Sequence, residues 1–211
     1  LFNNIAIGAH YALQQYGLER ILIIDWDLHH GNGTQHSFYH DPRVLFFSTH
    51  QYPYYPGSGS VVEVGEGRGA GFTVNVPLPG GQGDEDFLEI YRLLLKPLAL
   101  AFNPQMVLVS AGYDIYFDDP LGGMEVTPEG FAGLTAFIVD LAQSTCQGKV
   151  VLSLEGGYHL DGLRKSVKAT IQQLAGDAAD QGKKVDGKVL DGTGKIIEAV
   201  RKVQKDYWTC L

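Results

Sequence analysis

Three short apolar runs, Ile21–Ile24, Met106–Val109 and Val150–Leu154, constrain this fold more than any other feature. Continuous apolar runs of this length suit strands buried on both faces, the kind found in parallel sheets. Val44–Phe47 repeats the pattern, and Phe72–Val76 alternates more weakly. Helical patterns lie between them. Phe2 to Tyr16 places Ile5, Ala9, Leu13 and Tyr16 near one stripe, and Gly17 follows where a helix C-cap sits. Asp84 to Phe102 reads as a helix that Pro97 should kink or break. Thr127, Pro128 and Glu129 form a helix start, and that helix runs to about Gln143. Another spans Asp161 to about Leu174. Residues 175–193 read as a loop and 194–207 as a C-terminal helix. Apolar strands alternating with helices predict one α/β domain over 1–211 with a mainly parallel sheet.

The net charge of -8 argues against direct nucleic-acid binding, which needs basic surface, but leaves room for a cationic substrate. Two cysteines, Cys146 and Cys210, give no disulfide framework and suit reduced thiols in a cytoplasmic protein. No apolar run approaches the roughly 20 residues needed to cross a bilayer, so no membrane partner is expected. The chain starts at Leu1 inside a helical pattern, so it is expected to be part of a longer protein. Nothing in it specifies an oligomeric state.

Ligands of open α/β sheets sit beyond the carboxyl ends of the strands, so the strand exits matter most. The first exit is Asp25-Trp26-Asp27-Leu28-His29-His30-Gly31-Asn32-Gly33. In an extended chain Asp25, Asp27 and His29 share one face. Two acids and an imidazole converging there call for a cation, and Asp with His suits zinc. The competing reading is a set of helix caps and solvated loop acids. The second exit, Ser110-Ala111-Gly112-Tyr113-Asp114, delivers one more carboxylate to the same edge. Three protein ligands leave a position open for water, as in catalytic sites. Asp118-Asp119-Pro120-Leu121-Gly122-Gly123 is most simply a turn. The third exit is Glu155-Gly156-Gly157-Tyr158-His159. It lacks the spacing of a phosphate loop, and Tyr158 can either reach a metal-bound ligand or pack on the core. Alternating glycines at 65, 67, 69 and 71 precede a strand and read as a turn. Tyr52-Pro53-Tyr54-Tyr55-Pro56 is an aromatic loop that can wall a pocket or cap the core.

The ordered set DWDLHHGNGTQ (25–35), STHQYPYYPGSG (48–59), VNVPLP (74–79), SAGYD with DDPLGG (110–123) and EGGY (155–158) resembles the histone deacetylase superfamily. Within it, Asn32 and SAGYD are similar to class II and the bacterial acetoin-utilisation and acetylpolyamine amidohydrolases. The resemblance implies an arginase/deacetylase-like three-layer fold, here expected without its first strands. It implies zinc on Asp27, His29 and Asp114, with Tyr158 as the catalytic tyrosine. It implies structural potassium at Asp25, with backbone oxygens of Asp27 and His29, the Ser48 hydroxyl and the backbone of Thr49; His30 is a weaker candidate there. A second potassium is implied near Phe38, Asp41, Val44 and Phe72. Asn32 and Asp25 would support the catalytic histidines, and Tyr55, Tyr54 and Gly157 would line an acyl-lysine tunnel.

The resemblance also implies a catalytic histidine pair in a proline-glycine-His-His segment upstream of Phe2. The expected activity is zinc-dependent hydrolysis of an N-acetyl amide, such as acetyl-lysine or an acetylpolyamine, by a larger parent amidohydrolase. The present chain is expected to be nearly inactive without that pair. Two alternatives stand beside this reading. One is an arginase-like hydrolase with two manganese ions, for which Asp118 and Asp119 are the only local spare acids. The other is a non-catalytic acyl-lysine-binding scaffold.

Overall fold

The computed structural model describes residues 2–176 and 189–211. Its elements are α1 (Asn4–Gln15), β1 (Ile21–Asp25), α2 (Asn32–Phe38), β2 (Val44–Gln51), β3 (Thr73–Leu78), α3 (Asp84–Ile90), α4 (Lys96–Phe102), β4 (Met106–Ala111), α5 (Pro128–Cys146), β5 (Val150–Leu154), α6 (Leu160–Leu174) and α7 (Asp191–Gln204). The loop expected over 175–193 lies largely outside the described residues. Its far end is corrected, because α7 begins at Asp191 rather than 194.

The described strands form one parallel sheet in the order β3-β2-β1-β4-β5. From β1 the chain lays β2 and β3 on one side and β4 and β5 on the other. A crevice opens at the carboxyl ends of two strands where the winding reverses, here β1 and β4. The alternation of side chains builds two apolar layers. Leu22, Ile24, Phe47 and Val109 pack with α3, α4, α5 and α7; Ile21, Ile23, Phe46 and Leu108 pack with α1 and with Phe38 of α2. All four of Ile21–Ile24 are fully buried, each stabilising the fold by about 1.5–3 kcal/mol. The central strand is thereby held on both faces, and its exit is a rigid platform.

Two features go beyond the sequence reading, and both depend on residues distant in the chain. Pro97 does not break its helix. A π turn over Tyr91–Leu95 precedes α4, in which proline sits in the first turn. Proline has no N–H for the carbonyl four residues back, that of Leu93. Arg201 Nη2 of α7 donates to that oxygen at 3.4 Å. β5 is apolar but open: Val151 is 48% exposed and Leu154 59%. It is an edge strand among the described residues, paired with β4 alone.

Candidate metal centre

β1 ends at Asp25, and the backbone then bends through Asp27–His29 instead of continuing extended. Side chains nonetheless keep alternating. Trp26 and Leu28 are fully buried in the core, while Asp27 and His29 turn to the crevice. Backbone–carboxylate bonds fix the bend: Asp27 N–H donates to Asp25 Oδ1 at 3.1 Å, and His29 N–H to Asp27 Oδ1 at 2.8 Å. From β4, Asp114 swings across and accepts the Leu28 N–H on Oδ1 at 2.9 Å. One ligand atom each from Asp27, His29 and Asp114 lies within 4.8 Å of the others. The convergence expected at the first two strand exits is present. Asp25 does not join it and sits buried beneath.

Two carboxylates facing an imidazole need positive charge between them. His29 Nδ1 lies 3.3 Å from Asp27 Oδ1 and 3.2 Å from Asp114 Oδ2. Hydrogen bonding to Asp114, then to Asp27, raises the imidazole pKa to about 10, so a proton supplies the charge. Burial pushes the Asp114 carboxyl up, and its Oδ2 has no well-aligned hydrogen-bond partner. A fully buried oxygen left open toward a histidine nitrogen and a second carboxylate suits a divalent ion, and this oxygen–nitrogen set suits zinc. Two glycines make room. A Cβ at Gly112 would strike Asp27 Oδ2, and one at Gly156 would strike Asp114 Oδ2. Gly156 N–H also donates to Asp27 Oδ2 at 3.0 Å, tying the third strand exit to the first.

The centre opens into a cavity of about 340 Å³ whose lining includes Asp25, Asp27, His29, Asn32, Ser110 and Glu155. Burial and the Asp27 charge hold Glu155 above the ordinary carboxyl range. The Tyr54 and Tyr55 rings flank His29, with centroids 5.7 and 6.2 Å from its own. Tyr158 is half exposed beside the site. Partial burial and the charges of Asp114 and Asp27 raise its hydroxyl pKa, which keeps it a proton donor. Gly157, at φ 134°, sets the backbone just before it.

The residues expected around potassium are more dispersed. Burial, then the Asp27 charge, raises the Asp25 carboxyl far above its usual range. Ser48 is its register partner in β2, but the Ser48 hydroxyl pairs with His50 Nδ1 at 2.9 Å. Thr49 Oγ1 donates to the Asp25 carbonyl at 3.3 Å. His30 is held between Ser58 Oγ at 2.8 Å and Gln35 Oε1 at 2.9 Å. Around the second expected potassium, Phe38, Asp41 and Phe72 carbonyls accept from Asp41, Val44 and Phe46 N–H groups.

A family model described as the histone deacetylase domain matches residues 1–174. The chain belongs to the histone deacetylase family. Histone deacetylase 5 of Arabidopsis thaliana is 45% identical over all of this chain and 33% of its own length. A probable deacetylase of Archaeoglobus fulgidus is 40% identical over 99% of this chain and 61% of its own. Human polyamine deacetylase HDAC10 is 43% identical over all of this chain and 32% of its own. The chain therefore spans a third to about three-fifths of these deacetylases. The solved HDA15 HD domain superposes with TM-score 0.90 at 38% identity, covering 99% of this chain and 56% of that domain. Clr3 gives 0.92 at 39% identity, over 99% and 36%. The arginase/deacetylase-like fold expected from the resemblance is thus the one present.

Within this site, the sequence reading gave Asp119 no part beyond a turn and a spare acid for a second metal. Its carboxylate accepts the backbone N–H groups of Tyr158 at 2.7 Å and His159 at 3.1 Å. The only signal was its place in the DDPLGG motif, where a turn sufficed as an explanation.

Proposed function

We propose that this chain is the metal-binding part of a zinc-dependent deacetylase that hydrolyses an N-acetyl amide, acetyl-lysine or an acetylpolyamine. The observation that carries this reading is the Asp27–His29–Asp114 triad, built at the switch point of a deacetylase-family sheet. Zinc bound there would polarise the amide carbonyl and lower the pKa of the attacking water. Asp114, anchored by Leu28 N–H, and Asp27, anchored by Gly156 N–H, keep the ligand oxygens aimed at one point. Tyr54 and Tyr55 flank the approach and orient the acyl chain. The protonated Tyr158 hydroxyl donates to the carbonyl oxygen as negative charge develops on it. Asp25, Ser48 and Thr49 would hold potassium, whose charge would offset the crowded acids. The acidic surface favours a cationic amine. Polyamine deacetylase is the name of one relative and histone deacetylase of another.

The two-manganese alternative needs spare acids at the triad. Asp119 is committed to backbone N–H groups, and Asp118 is solvent-exposed beside His159. The test is metal titration of the purified chain with total metal analysis. The expected result is one zinc per chain, lost in Asp114→Ala. Two manganese ions per chain would overturn the assignment.

A further inference from the structure

The loop from β5 to α6 carries Tyr158, whose hydroxyl feels the charges of Asp114 and Asp27, with little packing to hold it. Two of its five residues are glycine, and Tyr158 itself is 51% exposed. Its early part is pinned to the sheet: Glu155 N–H donates to the Ala111 carbonyl and Tyr113 N–H to the Gly156 carbonyl. Its end is pinned to α6, where His159 Nδ1 accepts the Gly162 N–H at 2.9 Å. At Tyr158 the backbone anchor is the Asp119 carboxylate. That residue is 6% exposed, and both its carboxylate oxygens are engaged. Oδ2 accepts from Tyr158 and His159, and Oδ1 accepts the Leu121 N–H at 2.9 Å. The Leu121 carbonyl in turn accepts the Tyr54 hydroxyl at 2.7 Å. The Tyr54 ring stands against His29.

From this geometry we infer that Asp119 is the positioning residue for Tyr158, joining the two aromatic rims of the metal centre through one buried carboxylate. The inference rests on the reading of Tyr158 as the donor to the developing oxyanion. Asp119 touches neither substrate nor metal; it acts by fixing where the Tyr158 backbone lies. Asparagine is nearly the same size but presents an NH₂ group to one set of N–H donors. Asp119→Asn should therefore release the loop without emptying its site.

The first measurement is amide hydrogen exchange on the full-length protein and its Asp119→Asn variant. Exchange at Tyr158 and His159 should accelerate by at least about tenfold, with β4 amides unchanged. Unchanged exchange at Tyr158 overturns the proposal. The second is a double-mutant cycle with Tyr158→Phe, read as kcat on an acetyl-lysine peptide alongside zinc content. Asp119→Asn alone should lower kcat roughly ten- to hundredfold with zinc retained. In the Tyr158→Phe background it should add less than about threefold, because its effect passes through the missing hydroxyl. An equal loss in both backgrounds overturns the proposal and makes Asp119 merely structural. A Tyr158→Phe protein as fast as the parent instead overturns the reading of Tyr158, and is seen before Asp119 is altered.

Discussion

The 211-residue chain should bind zinc yet hydrolyse acetyl-lysine about 10²- to 10⁴-fold more slowly than a chain that also places a histidine pair at the cavity. The proposed ligands Asp27, His29 and Asp114 and the proposed donor Tyr158 lie within the described residues, but a free imidazole at the cavity does not. His29 faces the two ligand carboxylates. His30 has both ring nitrogens engaged, with Ser58 and Gln35. His50 is buried between Ser48 and the Gly59 carbonyl, and burial lowers its pKa to about 3. His159 caps α6. Without a base, water must lose its proton to solvent, and the departing amine must find one there. The comparison is single-turnover hydrolysis by the two chains at matched zinc occupancy. Equal rates would mean that the base lies within these residues. Glu155, a raised-pKa carboxyl in the same cavity, would then be the first group to replace.

Replacing Tyr158 by phenylalanine in the full-length protein should reduce kcat by about 10²- to 10³-fold and leave zinc content unchanged. One preorganised donor to an oxyanion is worth about 2.7–4 kcal/mol in other hydrolases. Phenylalanine keeps the ring and removes only the hydroxyl, and Tyr158 is not one of the three clustered ligand residues. KM should move little, because the hydrogen bond strengthens as charge develops rather than on substrate binding. A variant that loses zinc along with activity would instead assign Tyr158 to the metal's surroundings.

What was legible in the sequence was governed by local rules. Apolar runs such as Ile21–Ile24 declare a buried parallel strand, and the acids and histidine after them stand out because the interior tolerates neither without a cation. Asp27, His29 and Asp114 could be paired before any coordinates, since a switch-point sheet brings its strand exits to one edge. What stayed hidden depends on neighbours distant in the chain. The Leu93 carbonyl, four residues before Pro97, is met by Arg201 from α7. Val150–Leu154 has a core strand's composition but an edge strand's exposure, which only strand order reveals. Asp119 reads as a turn former because its partners, Tyr158 and His159, lie some forty positions onward. The bend at Asp27 escaped an extended-strand argument because its cause is side chain-to-backbone bonding.

The pairing of β1 with β4 carries a kinetic consequence. Leu28 and Asp114, joined across the metal centre, are 86 positions apart. Closing so long a loop is a late, non-local event in folding. Until it closes, the nascent chain can offer an ion Asp27 and His29 but not the buried third ligand. Zinc capture should therefore trail the zipping of the central strands, and the ion should act as a brake on escape from the native state. In a denaturant chevron, saturating zinc should lower the unfolding arm and leave the refolding arm almost where it was.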